Sequence, residues 1–361
     1  MLMTFVHGAL LVAALLGVVA TVLPLSKHEA WWVRLFDYPR LQVFVLGAAT
    51  LGGYLGVRLL LHAPALHRAE VVLVGALALC LGYQLVLIAG YMPWASVQVK
   101  RLSDPGDGHT LSVMVANVLM PNRRHEALLR LVKRYDPDLL LLVETDAWWA
   151  EALAPLHATY PHRVARPLDN TYGLLFYSRL EMRDAQIRHL VNAHIPSVHA
   201  RVQLPAGPWV EVHGLHPDPP NPAYAEETTE RDAELLLVAR EVAQHAAPVV
   251  VLGDFNDVAW SHTTRLFQRV SGLLDPRRGR GLFSTFHADY PFLRWPLDHI
   301  YHSDHFGLAQ LEVGPRWGSD HLPVFARLVY RPAATPTSTL TPARDDLDEV
   351  ADKIKRARAN D

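Results

Sequence analysis

The segment Gly253-Asp254-Phe255-Asn256 ends an apolar run, Pro248-Val249-Val250-Val251-Leu252. The run is short and rich in β-branched residues, so it reads as a buried strand. Such a strand delivers Asp254 and Asn256 to the carboxyl edge of a sheet, where open α/β sheets present their ligand groups. Asp254 offers an anionic oxygen, and Asn256 a neutral amide that both accepts and donates. The pair suits a site that activates water and holds an anionic substrate. Taken alone, the same residues would equally make a strand-ending turn.

Further candidates stand at comparable places. Leu111 to Asn117 alternates and brings Asn117 to a strand end, and Leu139 to Val143 is an apolar strand that runs into Glu144. Between them, Leu128, Leu131, Val132 and Tyr135 share one helical face, and Asp136-Pro137-Asp138 stops that helix. Trp209 to Leu215 leads into His216-Pro217-Asp218-Pro219-Pro220, with His213 read as a core or supporting histidine. Asp298 lies in Pro296-Leu297-Asp298-His299-Ile300-Tyr301. Asp320 and His321 lie in the loop Gly318-Ser319-Asp320-His321 before a last strand, Val324 to Tyr330. Shorter strands are expected at Gly173 to Ser178 and Val198 to Leu204, and helices over Ala223 to Ala246 and around His262 to Val270. Each residue has a plainer reading: Glu144 could be a solvated cap of the following helix, where Thr145 and Asp146 are good cap residues, and Asp320 a turn residue before Pro323.

Several oxygen donors without cysteine ligands favour a hard cation, Mg²⁺ or Mn²⁺. Zinc is disfavoured, because the histidines lack the close spacing of a zinc helix. The single cysteine, Cys80, sits in an apolar stretch, which excludes a disulfide framework within the chain. Net charge over the 361 residues is -2, so no global basic field advertises nucleic acid.

Before Lys27 no Lys, Arg, Asp or Glu occurs, and Thr4 to Pro24 is long enough to span a bilayer. Second and third spans are expected at about Leu41 to Leu61 and Val71 to Trp94. A cleaved signal peptide is disfavoured by the missing basic n-region. Trp31, Trp32, Tyr91 and Trp94 stand at the expected ends as interfacial anchors. The spans carry almost no buried ionisable residue, so they read as an anchor rather than a transport pathway. An odd number of spans puts the amino terminus and the large carboxyl region on opposite sides. Basic residues, counted over the loops, slightly favour that region inside. After Arg331, Pro, Thr and Ser precede a charged stretch at Asp345 to Arg358, read as a flexible linker with a weak, solvated helix.

In their order these motifs resemble the endonuclease/exonuclease/phosphatase superfamily, the deoxyribonuclease I-like phosphoesterases. The carriers are Asn117, Asp-Pro-Asp followed by Leu-Leu-Leu-Leu-Val-Glu144, His216 with its prolines, Gly-Asp254-Phe-Asn256, Leu-Asp298-His-Ile and Ser-Asp320-His321. The resemblance implies an α/β fold, a four-layer sandwich of two packed β-sheets flanked by helices, after an N-terminal bundle of three transmembrane helices. The expected layout is an anchor over residues 1–98, a linker over 99–110, a catalytic domain over 111–331 and a flexible tail over 332–361.

It also implies roles. Glu144 would be the main metal ligand, Asn117 would contact metal or phosphate, and Asp320 would complete the metal shell. Asp254 would orient or deprotonate the attacking water, and Asn256 would hold a phosphate oxygen. His321, paired with Asp298, would stabilise charge growing on the phosphate, and His216 matches a second catalytic histidine of some relatives. The substrate would be a phosphate ester, of nucleic acid, phospholipid or a small molecule. The lipid bilayer is the other partner, and no obligate protein partner is inferred. The anchored layout looks like a bacterial subgroup in the inner membrane, with the catalytic domain on its outer face.

Three departures bear on the substrate. Val143 stands where many members have Gln, and Asp298-His299 stands where many nucleases have Asp-Arg. No clear Glu near Tyr172-Gly173 orients His216; Asn170 or Asp169 could substitute. Arg277, Arg278 and Arg280, with Arg123 and Arg124, could line a phosphate groove, but solvated loops are the plainer reading. A non-catalytic binding domain on the same fold would be expected to lack one of Glu144, Asp254, Asn256, Asp298 or His321, and all are present.

Overall fold

The computed structural model describes residues 2–60, 67–106, 108–221, 226–331 and 341–359. Four helices come first: α1 (Leu2–Val22), the single turn α2 (Trp31–Arg34), α3 (Arg40–Leu60) and α4 (Arg68–Ala89). Helices α1, α3 and α4 are each long and apolar enough to cross a membrane. At 1.5 Å per residue, a helix of 21 residues spans about 32 Å, close to the hydrocarbon thickness of a bilayer. They pack pairwise around Ala14, Leu77 and Leu81.

The rest of the chain forms β1 (Thr110–Asn117), α5 (His125–Tyr135), β2 (Leu139–Val143), α6 (Ala147–Ala152), β3 (His162–Arg166), β4 (Leu174–Ser178), β5 (Met182–Arg188), β6 (Ser197–Gln203), β7 (Trp209–Leu215), α7 (Thr229–Val242), β8 (Val249–Asp254), α8 (His262–Ser271), β9 (Asp298–His302), β10 (Phe306–Val313), β11 (Val324–Tyr330) and α9 (Arg344–Ala359). Two sheets result, ordered β10-β11-β1-β2-β4-β3 and β5-β6-β7-β8-β9. Both are mixed: β1–β2 and β7–β8 run parallel, and their other neighbours antiparallel.

Alternation along the strands explains the layers. In β8, Val250 and Leu252 face the opposite sheet, where they meet Val113, Val115, Leu141 and Phe176. Val249 and Val251 face the other way, against Leu235, Leu236, Leu266 and Phe267 of α7 and α8. Helices α5 and α6 cover the outer face of the six-stranded sheet through Leu128, Leu131 and Trp149. The expected four-layer sandwich is present. Gly253 lets β8 lie close to β7, since a Cβ there would stand 1.9 Å from the Leu215 carbonyl oxygen.

Two expectations are corrected. The charged stretch near the carboxyl end is not a solvated helix: Val350, Ile354 and Ala357 of α9 are buried in the cluster with α7 and α8. Their i, i+4, i+7 spacing makes a narrow apolar stripe. Buried Lys353 pairs with Glu29 and, at 2.8 Å, with Asp232. Residues 332–340, and residues 222–225 at the start of the segment expected to be helical from Ala223, lie outside the described residues. Tyr91, expected as an interfacial anchor, is 1% exposed and donates its hydroxyl to the Ala259 carbonyl at 2.8 Å. Trp32 and Trp94 are exposed as expected.

The start of α3 and the end of α4 are fused to the globular part. Tyr38, Leu87, Ile88 and Tyr91 form one cluster with Val258, Ala259, Trp260 and Leu297. The Trp260 indole N–H donates to the Asp37 carbonyl at 2.8 Å.

Candidate active site

The carboxyl ends of β1, β2, β7 and β8 bring Asn117, Glu144, His216 and Asp254 to one edge, as strand ends in two packed sheets should. Asp298 arrives differently. It opens β9, which runs antiparallel to β8 with Asp254 opposite Asp298, so its first residue reaches the same edge. Asp320 and His321 come from the loop before β11. The Ser319 hydroxyl ties that loop to the Asn117 carbonyl at 2.8 Å and accepts from the His321 amide at 3.0 Å.

His321 and Asp298 form the expected pair, Nδ1 to Oδ2 at 2.8 Å. His321 Nε2 lies 3.6 Å from Asp254 Oδ2. Burial opposes a charge on His321, but Asp298 and Asp254 outweigh it and push its pKa up to about 10. Asp254 also stands 4.0 Å from His216 Nε2, and accepts from Asn117 Nδ2 at 3.1 Å and from the Asn256 amide at 2.9 Å. Burial raises the Asp254 carboxyl above its ordinary range, with His321 opposing. Burial pushes His216 down to about 4, so it stays neutral.

The Asn117 carboxamide donates to Glu144 at 2.7 Å, while its oxygen accepts from the Leu119 amide at 2.9 Å. In this orientation Asn117 holds two carboxylates in place rather than presenting its oxygen to a cation. Asn256 donates its side-chain nitrogen to the Pro217 carbonyl at 2.9 Å, joining the Asp254 loop to the His216 loop. Glu144 and Asp320 are half-buried. Glu144 is not a cap residue: Asp146 takes that place, accepting from the Trp149 amide at 2.9 Å.

Asp254, Asp298 and His321 each bring one ligand atom within 4.8 Å of the others. Glu144 adds a further carboxylate. Burial raises its pKa; Asn117 and His321 oppose the rise, and the charges of Asp254 and Asp320 add to it. Asp298 Oδ1 is buried without a hydrogen-bond partner among the described residues. Clustered carboxylate oxygens with a surplus of negative charge fit a hard divalent cation.

Several sequence readings change here. Asn170 and Asp169 are both exposed, and His216 Nδ1 has no hydrogen-bond partner among the described residues, so neither residue orients that histidine. Instead the Tyr172 ring lies 6.0 Å from the His216 ring, and the Tyr172 hydroxyl donates to Asp218. The arginines separate: Arg277 is buried rather than solvated, whereas Arg123 and Arg124 line an open surface cavity with Arg130, Arg316 and Trp317, and Arg280 lines another with Arg101. Arg277 is buried against Asp275 at 2.8 Å and meets His299 Nδ1 at 2.7 Å. Arg278 lies over the Tyr91 ring, and Arg280 donates to the Pro276 carbonyl. Arg123 is held by Asp146 at 2.7 Å. His213 is a core histidine, its Nδ1 2.7 Å from Nδ1 of His199.

Other contributors went unread. Tyr38 and Arg231 both donate to the Asn256 carbonyl, at 2.6 and 2.9 Å. Thr285 Oγ1 accepts from the Asp298 amide at 3.4 Å. Only Asp218 and Ser319 carried a local signal, beside His216 and Asp320 in their motifs.

The profile of the endonuclease/exonuclease/phosphatase family matches residues 114–321, more than half of the chain, and the chain belongs to that family. No curated protein matches it. Among solved structures, an endonuclease/exonuclease/phosphatase from Beutenbergia cavernae DSM 12333 is similar at 20% identity and TM-score 0.50, over 66% of this chain and 76% of that one. The human Nocturnin catalytic domain with bound sulfate is similar at 17% identity and TM-score 0.50, over 65% and 98%. A conserved protein from Enterococcus faecalis V583 is similar at 17% identity and TM-score 0.50, over 61% and 100%. At these identities the likeness is one of fold. Members of the family are hydrolases of phosphoester bonds, typically dependent on a divalent metal.

Proposed function

We propose that this chain is a membrane-anchored, metal-dependent phosphoesterase that cleaves a phosphodiester or phosphomonoester by in-line attack of water. The observation that carries the reading is the meeting of Asp254 with His321 at 3.6 Å, His321 being charged by Asp298 at 2.8 Å. A base and a fixed cation on one spot are what hydrolysis of an anionic ester needs.

Glu144 and Asp320 would hold Mg²⁺ or Mn²⁺, with Asn117 fixing the Glu144 carboxylate. A bound cation there supplies Lewis acidity and neutralises charge on the phosphate and leaving oxygens. Asp254 accepts a proton from the attacking water; its raised pKa brings it nearer the working pH. Water oxygen bonds to phosphorus, the bond from phosphorus to the leaving oxygen breaks, and that oxygen takes up a proton. His321 donates from Nε2 to a phosphate oxygen as negative charge grows. Neutral His216 offers a hydrogen bond without competing for the Asp254 charge. Asn256 braces the two loops through Pro217.

The spans α1, α3 and α4 anchor the domain in a bacterial cell membrane. We assign the catalytic domain to the outer face by the resemblance to anchored bacterial members, against the slight charge count. Reporter fusions at the carboxyl terminus decide the side. The reaction is tested by Mg²⁺-dependent release from DNA, phosphoinositide and sphingomyelin substrates, comparing wild type with Asp254→Ala. Turnover that the substitution abolishes is expected. No turnover, or a variant equal to wild type, overturns the enzyme reading and leaves a binding domain.

A further inference from the structure

The segment from Phe286 to Trp295 joins the catalytic edge to the helix bundle. At its base, the Phe286 ring lies 4.9 Å from the His321 ring, and the Ala288 amide donates to the Asp320 carbonyl at 2.6 Å. At its tip, Tyr290, Phe292 and Leu293 are exposed, Phe292 to 89%. The tip is not free in space. The Gln42 side chain donates to the Phe292 carbonyl at 2.8 Å, and the Trp295 indole donates back to Gln42 at 3.4 Å.

Gln42 stands two residues into α3, so the Phe292 backbone lies level with the first turn of that apolar helix. If α3 crosses a bilayer, an exposed aromatic at this level faces lipid. Exposed Trp32 and Trp94 stand on the chain just before α3 and just after α4, at the same end of the bundle. Aromatic side chains at a helix end mark the membrane interface, and apolar residues of interfacial segments sit about 5–10 Å into the headgroup and acyl boundary.

We propose that residues 290–293 insert into the leaflet that α3 enters, and that the ester cleaved beside His321 is the phosphate of a lipid headgroup in that leaflet. The spacing agrees. Four chain steps separate Ala288, bonded to Asp320, from Phe292, a reach of at most about 14 Å at roughly 3.5 Å per step. With Phe292 at the acyl boundary, the site stands at headgroup height and a lipid phosphate reaches it without leaving the bilayer. Water adds to that phosphorus and the headgroup or glycerol oxygen departs with a proton, as for any phosphate ester.

The inference rests on the anchored-phosphoesterase reading, and the test separates the two. Full-length protein is placed in nanodiscs of phosphatidylcholine and phosphatidylglycerol. A bimane label goes on Phe292→Cys in a Cys80→Ala background, which is specific because the chain has one cysteine. A blue-shifted label quenched by brominated lipid is expected; a label with aqueous emission overturns insertion. In parallel, Mg²⁺-dependent hydrolysis of soluble bis-p-nitrophenyl phosphate is compared with headgroup release from phosphatidylcholine, sphingomyelin, phosphatidate and a phosphoinositide in nanodiscs. The double variant Phe292→Ser, Leu293→Ser should keep the soluble activity and lose lipid hydrolysis by roughly tenfold or more, the scale set by two apolar side chains losing burial. Equal loss on both substrates, or hydrolysis of single-stranded DNA but of no lipid, overturns the lipid assignment. If wild type and Asp254→Ala are equally inert on every ester, the phosphoesterase reading falls and takes the substrate with it, while the label still decides insertion.

Discussion

Tyr38, in the segment between α1 and α3, donates its hydroxyl to the main-chain carbonyl of Asn256 at 2.6 Å. Asn256 has φ 50°, a left-handed conformation few side chains adopt readily. Arg231 holds the same oxygen at 2.9 Å, and the Asn256 amide holds Asp254 at 2.9 Å. A residue from the amino-terminal helical region therefore braces the peptide that aims the proposed base.

Tyr38→Phe should lower kcat by roughly three- to tenfold, the worth of one hydrogen bond of about 0.5–1.5 kcal/mol, with KM little changed. Arg231 keeps the peptide from collapsing. Steady-state kinetics on a soluble ester checks this; a change in KM alone would assign Tyr38 to substrate binding instead.

Asp254→Asn keeps the shape and the bond from the Asn256 amide but cannot take a proton. We expect kcat to fall by roughly 10²- to 10⁴-fold. Burial disfavours the charged Asp254 carboxylate, so the variant should melt no lower than wild type. Kinetics and calorimetry on one preparation separate lost chemistry from lost fold.

These residues were legible to different degrees, for physical reasons. Asp254, Asn117 and Glu144 follow apolar strands, and a strand end leaves a local mark. Asp298 was readable by its motif, although it sits at the start of an antiparallel strand. Tyr38 has no such mark, because its partner lies 218 positions away. The role of Arg277 depends on Asp275 and His299, so a run of arginines misled. Helix α9 was misjudged because its apolar stripe is narrow and its buried cation, Lys353, finds acids on Glu29 and Asp232.

Lys353→Met tests that last network. Removing the cation leaves Glu29 and Asp232 buried with fewer partners, although Arg356 still reaches Glu29 at 2.9 Å. Breaking a buried pair from one side costs about 3–5 kcal/mol, so the variant should unfold at clearly lower denaturant. A double change with Asp232→Leu should recover much of the loss.

Buried histidines shape part of the pH dependence of stability. Burial pushes His199 down to about 2, and His213 and His302 to about 4. Unfolded histidines protonate near 6.5, so below that pH the unfolded state binds more protons and stability falls towards about pH 4. His321 acts in the opposite sense. Its folded pKa of about 10 makes its contribution complete below about 6.5, and that contribution drains away as pH rises to about 10. Burial also pushes the Glu234 carboxyl up to about 8, so its contribution drains away as pH rises from about 4.5 to about 8. Denaturant titrations in chelator should therefore show an alkaline limb whose part above about pH 8 His321→Gln flattens. A limb unchanged in the variant would place the titration elsewhere.

Divalent cations should stabilise the fold independently of turnover. A cation that binds only the folded chain adds about 2.7 kcal/mol at a hundredfold excess over its Kd. Mg²⁺ or Mn²⁺ should therefore raise the melting temperature, and EDTA should reverse the rise. Glu144→Gln keeps the bulk and the contact with Asn117 Nδ2, at 2.7 Å in the wild type, but removes a charge from the proposed cation site. It should abolish most of the cation-dependent shift while leaving the cation-free melting point unchanged or higher, since burial already disfavours that charge. If Asp298→Asn removes the shift and Glu144→Gln does not, the cation sits with Asp254, Asp298 and His321, whose ligand atoms lie within 4.8 Å of one another.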